Sequence, residues 1–223
     1  MDTKKFIVCK KEVTLFPAGQ TDRPLIVLNT FTGDGSSVMK EIRKLSSKDF
    51  SLLAVGGLKW YHDMTPWECA PVSENDTPFT GGAYEYLDLL ISEILPKARE
   101  IVGDTPHTGI AGYSLAGLFA IYALYNCDVF DRAASMSGSL WFPNFKEYVL
   151  GHDLPCKPDK LYISLGDKEA GAKQPLLKTV QDNTEAIVEH YRQLSLSVAF
   201  EMNKGGHFYN ADIRSAKGIA AII

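Results

Sequence analysis

Thr108-Gly109-Ile110-Ala111-Gly112-Tyr113-Ser114-Leu115-Ala116-Gly117-Leu118-Phe119 passes from a short apolar segment, through small residues, into a helical apolar pattern. A serine at such a junction sits on a sharp strand-to-helix turn and projects its hydroxyl from the edge of a sheet. The turn is sterically possible only if the residues two before and two or three after the serine are small, and Gly112, Ala116 and Gly117 satisfy that. The start of a helix also leaves backbone N–H groups unbonded, and its dipole favours negative charge there. The amide of Leu115 is thus a candidate donor to an oxyanion that develops beside Ser114. On its own the stretch is equally an ordinary glycine-flanked turn with an N-cap serine, so its partners elsewhere in the chain decide the reading.

Working outward, β-rich apolar runs recur at Val13 to Phe16, Leu25 to Asn29, Phe50 to Val55, Thr108 to Ala111, Arg132 to Met136, Leu161 to Leu165 and Leu196 to Glu201. Helical periodicity fills most intervals, at Ser37 to Leu45, Tyr84 to Ile101, Leu115 to Tyr125, Gln174 to Arg192 and Ala211 to Ile222. Strands that alternate with helices predict an α/β fold with a mainly parallel sheet. In Tyr84 to Ile101 the residues Leu87, Leu90, Ile91, Ile94 and Leu95 form one apolar stripe, which reads as core, and Pro96 is placed to kink the helix. Gly56 to Gly82 carries no convincing periodic element over about twenty-five residues, which marks a functional loop or a hidden element. It follows a strand, so it leaves the carboxyl edge of the sheet, where open α/β sheets place ligands.

Two further strand ends carry the partners. Leu161-Tyr162-Ile163-Ser164-Leu165-Gly166-Asp167-Lys168-Glu169 ends in glycine and two acids, either of which could orient a histidine. Phe200-Glu201-Met202-Asn203-Lys204-Gly205-Gly206-His207-Phe208 leads through a double glycine to a histidine ahead of the last helix. The order serine, acid, histidine, each after a different strand, suits a general base that accepts the serine proton. Of the other histidines only His62, in the long loop, is a rival. A second oxyanion donor is expected after the strand Leu25 to Asn29, from the amide of Phe31, with Thr32 next. That loop lacks the glycine spacing of a nucleotide site.

The 223 residues suit a single domain, and 45% hydrophobic with 22% charged residues is ordinary for a water-soluble globular protein. A net charge of −4 gives no electrostatic case for nucleic acid or an anionic membrane. The first residues contain no apolar signal region and no run approaches the roughly eighteen apolar residues of a membrane span, so a cytoplasmic location is expected. Cys9, Cys69, Cys127 and Cys156 lack metal or redox spacing and are expected to be reduced, mostly buried thiols.

Several stretches together resemble the esterase family of the α/β-hydrolase superfamily, in the branch of siderophore esterases, feruloyl esterases and mycolyl transferases. They are Trp60 to Trp67, Phe79 to Leu87, the turn at Ser114, Ser137 to Phe142, Gly166 to Glu169 and Gly205 to Phe208, within a likeness spanning roughly Leu25 to Asn210. The resemblance implies an α/β-hydrolase fold without a large lid, helices on both faces of the sheet, and cleavage of a small-molecule carboxylic ester through an acyl-enzyme. It maps the nucleophile onto Ser114 and the base onto His207. The acid maps onto Glu169 first, with Asp167 as the alternative. Alanine at position 116 departs from the commoner glycine and implies a slightly tighter turn. Trp60, Trp67 and Trp141 all fall in segments leaving the carboxyl edge and are candidate substrate contacts, although each could equally pack a loop on the core. No metal or organic cofactor is implied. Acyl transfer on the same residues, a non-catalytic binding role, and a homodimer formed through the aromatic loop remain as alternatives.

Overall fold

The computed structural model describes residues 2–223. The chain begins with strands β1 (Lys4–Val8), β2 (Lys11–Phe16) and β3 (Leu25–Asn29), helix α1 (Ser36–Leu45) and strand β4 (Ser51–Gly56). Next come α2 (Trp60–Asp63), a two-stranded ribbon of β5 (Glu68–Cys69) and β6 (Phe79–Thr80), and α3 (Ala83–Leu89), which continues through a π turn into α4 (Leu95–Val102). The second half alternates regularly: β7 (Thr108–Tyr113), α5 (Leu115–Asn126), β8 (Arg132–Met136), α6 (Phe145–Gly151), β9 (Lys160–Gly166), α7 (Pro175–Lys178), α8 (Val180–Gln193), β10 (Val198–Asn203) and α9 (Ala211–Ile222).

Eight strands form one sheet in the order β1-β2-β4-β3-β7-β8-β9-β10. Pairing is parallel from β4 to β10 and antiparallel for β1–β2 and β2–β4. Parallel strands covered on both faces are apolar at successive positions, and β3 shows how. Leu25 and Val27 face one apolar layer, Ile26 and Leu28 the other. The first layer holds α3, α4, α5 and α8; the second holds α1 and α9, which pack on each other. Helix α5 is buried from Leu115 through Tyr125, consistent with a sequence that is apolar all round. This is the α/β-hydrolase architecture with helices on both faces and, among the described residues, no lid domain.

The topology locates the cleft. From β3 the chain moves through α1 to β4 on one side, and β7 then adds on the other side of β3. Parallel sheets open a crevice at the carboxyl ends where the winding reverses. Here those ends carry Asn29 and Tyr113, one residue before the expected oxyanion loop and nucleophile.

The structure corrects several expectations. Strand β1 was not anticipated, because its turn, Cys9-Lys10, adopts φ of 46° and 69° without the Asn-Gly or Asp-Gly pair that signals such a hairpin. The long loop holds α2 and the β5–β6 ribbon, both too short to show periodicity, and α6 was missed for the same reason. Pro96 does not simply kink its helix. Just before it, Leu95 N–H donates to Leu90 O in a π turn, which absorbs the donor that proline lacks. The pattern from Gln174 to Arg192 divides into α7 and α8 at Thr179. The cysteines are free, but Cys9 is exposed in its turn and the other three are only half-buried.

A buried ion pair fixes the long loop to the sheet. Lys11 on β2 pairs with Asp63 of α2, and Lys59 N–H donates to the same carboxylate at 2.7 Å. Lys11 also lies over the ring of Tyr86, whose hydroxyl donates to Asn29 at the end of β3. The helix that carries Trp60 is thereby tied to the strand that leads into the Phe31 turn.

Candidate active site

Ser114 adopts φ 59° and ψ −124°, a conformation L-residues rarely hold, and such strain costs about 1–3 kcal/mol. The surrounding structure holds it in place. Ser114 N–H donates to Met136 O at 3.1 Å, and Ser114 O accepts from Gly117, Leu118 and Ser139 N–H. A Cβ on Gly112 would collide with the backbone of Ala116, so the small residues flanking the serine are a steric requirement of the turn. The alanine at 116 is fully buried and tolerated.

The hydroxyl points at a histidine. Ser114 Oγ lies 2.9 Å from His207 Nε2, and His207 Nδ1 lies 2.7 Å from Glu169 Oε2. Burial pushes the Glu169 carboxyl up, but hydrogen bonds from His207 and Ser137, attraction to His207 and the Gly166 amide outweigh it and leave the group below its ordinary range. Glu169 is therefore an anion able to accept from an Nδ1–H of His207, and the ring then presents Nε2 to Ser114 Oγ. Of the two acids, Glu169 faces His207 and Asp167 does not. Asp167 is exposed and accepts from Gly205 N–H at 2.7 Å, where Gly205 turns with φ 101°. It shapes the loop that carries His207.

His62, the rival histidine, bonds through Nδ1 to Thr80 Oγ1 at 2.8 Å and packs its ring on Gly82. It is absorbed in holding the β5–β6 ribbon against α3. Leu115 stands at the first position of α5, where a backbone N–H has no helical acceptor. Phe31 lies in the turn after β3, which Thr30 braces through Oγ1 to Gly33 O and Val55 O. Both residues line the same cleft as Ser114.

That cleft has a volume of 870 Å³. Phe31, Trp60, Phe79, Trp141 and Phe208 contribute aromatic walls. Phe31 packs edge-on to Trp60 with centroids 5.0 Å apart, and Trp141 leans on Phe79 at 6.0 Å. Trp67 is a correction: it stays outside the cleft. Its indole N–H donates to Pro143 O at 3.1 Å and its ring is wedged among Phe142, Phe145 and Tyr148. Packing the ribbon onto α6 claims that side chain.

Three site residues received no role from the sequence, although two of them lie in the Ser137 to Phe142 stretch. Ser139 Oγ stands 3.4 Å from Ser114 Oγ. Ser137 Oγ donates to Glu169 Oε1 at 2.7 Å. Arg214 is 2% exposed and reaches the same oxygen at 3.2 Å. The arginine left a signal: it shares the helical face of Ser215, Gly218, Ile219 and Ile222, which are all buried, so a charge stands on an apolar stripe.

The model of the family described as "Putative esterase" matches residues 58–210 of this chain. The chain belongs to the esterase family. The match starts later than the resemblance read from the sequence, which began near Leu25. The uncharacterized protein YbbA of Bacillus subtilis is 24% identical over 73% of this chain and 70% of its own length. Among solved structures, an IroE-like serine hydrolase from Shewanella oneidensis has a TM-score of 0.78 at 18% identity, covering 98% of this chain and 78% of that one. The siderophore hydrolase EstA from Aspergillus nidulans has a TM-score of 0.72 at 19% identity, covering 98% and 92%. At such identities these likenesses speak to fold. Family membership makes this esterase a carboxylic ester hydrolase. Among its described residues no helix is long and apolar enough to cross a membrane.

Proposed function

We propose that this esterase cleaves small-molecule carboxylic esters through an acyl-enzyme on Ser114. His207 Nε2 accepts the Ser114 proton as Oγ attacks the ester carbonyl. The amides of Leu115 and Phe31 receive the oxyanion of the tetrahedral intermediate. The protonated imidazole then gives its proton to the departing alcohol, and a water activated by the same nitrogen releases the acid. Glu169 holds the Nδ1–H tautomer and stabilises the transient imidazolium. The observation that carries this reading is the unbroken chain Ser114 Oγ to His207 Nε2 at 2.9 Å and His207 Nδ1 to Glu169 Oε2 at 2.7 Å, at the floor of a cleft.

The cleft walls favour an ester with a sizeable apolar portion. Phe31 and Phe208 leave 65% and 91% of their surface exposed, and an apolar ligand that covers them removes that area from water. The test is steady-state hydrolysis of p-nitrophenyl acetate and butyrate by the parent, Ser114→Ala and His207→Ala. Loss of about a thousandfold or more in kcat is expected for both variants, with circular dichroism unchanged. Turnover that survives Ser114→Ala overturns the serine mechanism. An added alcohol acceptor should leave acid release unchanged; a product ester in its place would indicate acyl transfer.

A further inference from the structure

Arg214 is the largest fully buried side chain of the protein, and it lies beneath the loops that carry the active-site residues. Its Nη1 donates to Glu169 Oε1 at 3.2 Å, Ser137 Oγ at 3.0 Å and Tyr113 OH at 3.1 Å, and its Nη2 donates to Lys204 O at 2.9 Å. These partners belong to four separate carboxyl-edge segments: the residue before the nucleophile, the turn after β8, the acid turn after β9 and the loop after β10. The Tyr113 hydroxyl passes the connection on by donating to His207 O at 2.6 Å. One planar guanidinium therefore holds the elbow, the acid and the base loop in register, as five donors in a fixed fork allow.

A neutral side chain could hydrogen-bond some of these groups without the heavy desolvation of a buried cation. What the charge adds concerns Glu169. Its Oε1 is shared by Arg214, Ser137 and the Gly166 amide, which leaves Oε2 to His207 alone. A carboxylate against imidazole favours the imidazolium, and a cation on the far side of that carboxylate opposes the effect.

We propose that Arg214 is a positioning residue that fixes the division of the Glu169 oxygens and, as a cation behind that carboxylate, weakens the pull of Glu169 on the His207 proton. The inference rests on the serine mechanism proposed above. The other charged groups around the pair are Asp167 and Lys168 on the acid turn, Lys204 on the base loop, Asp212 at the start of α9 and Asp76 from the long loop, and all are exposed and screened by solvent. The Tyr113 phenol is pushed up, chiefly by burial, and stays neutral in the relevant range.

The experiment compares kcat and KM of the parent, Arg214→Met and Arg214→Lys between about pH 5 and 9, with Ser114→Ala as the control for the underlying mechanism. In folded Arg214→Met, kcat should fall by about tenfold or more with KM within about twofold, and the acid limb of kcat/KM should move up by about one pH unit. Arg214→Lys should keep the limb in its parental place, since the charge is retained, while kcat stays below that of the parent. A folded Arg214→Met whose acid limb stays put or moves down overturns the proposal. If Arg214→Met does not fold, the lysine variant decides: parental kcat, or a displaced limb, overturns the inference, and reduced kcat at an unmoved limb supports it. Activity that survives Ser114→Ala would instead sink the serine mechanism, so the two failures are distinguishable.

Discussion

Two acids stand two residues apart after β9, and the fold gives them different work. Glu169 is buried and faces the imidazole, while Asp167 is exposed and caps the turn at Gly205. Glu169→Gln should lower kcat by about a thousandfold, because a carboxamide stabilises neither the Nδ1–H tautomer nor the imidazolium. Asp167→Asn keeps an oxygen for the Gly205 amide and should hold kcat within about threefold. Parallel p-nitrophenyl butyrate assays check both, and a reversal of the two effects would reassign the acid. The sequence alone left this choice open, since both residues follow the strand-ending glycine and the handedness of the turn that selects one of them is not written in residue types. Ser114 and His207 were legible because their local requirements, small neighbours for one and a double glycine for the other, are themselves residue types. The division of labour among the tryptophans was not. Trp60 and Trp67 sit in one loop with similar neighbours, and only the packing of the β5–β6 ribbon onto α6 takes Trp67 away from the cleft.

At the scale of elements, the attachment of α2 to β2 determines one wall of the cleft. Asp63→Ala strands the Lys11 ammonium in the interior without a partner, and breaking a buried pair this way costs about 3–5 kcal/mol. Urea unfolding should show that loss, and the double change Lys11→Met with Asp63→Leu should recover most of it. A single-variant loss under about 1 kcal/mol would mean the pair behaves as a surface contact. Because α2 carries Trp60, the single variant should also raise KM more than it lowers kcat. Long elements were readable from periodicity: β3, β8 and α9 have the bounds their apolar patterns suggest. Elements of two to four residues were not, because each holds only about one period of its own repeat, too little for a recurrence to show.

For the whole molecule, pH acts through groups whose ionisation changes on folding. Glu169 and Glu201 both titrate below their ordinary value of 4.5, burial in each case being outweighed by hydrogen bonds and attraction from His207 or Lys217. A depressed folded pKa contributes stability that is present above the unfolded value and is lost as pH falls through the folded one. Urea midpoints should therefore drop below about pH 4.5, and Glu169→Gln should flatten that fall; an equal slope in parent and variant would exclude Glu169 as a contributor. At the other extreme, burial pushes Tyr122 and Tyr125 up to about 12. Their contribution is intact below pH 10 and fades as pH rises towards 12, which absorbance of phenolate during alkaline unfolding would track. Ser114 and His207 lie 93 positions apart in the chain, and they meet only when β10 has paired along β9. Closing so long a loop is entropically slow compared with forming helices. Recovered turnover is thus a timer for the last strand to dock: on dilution from denaturant, helical ellipticity should return first and esterase activity should lag behind it.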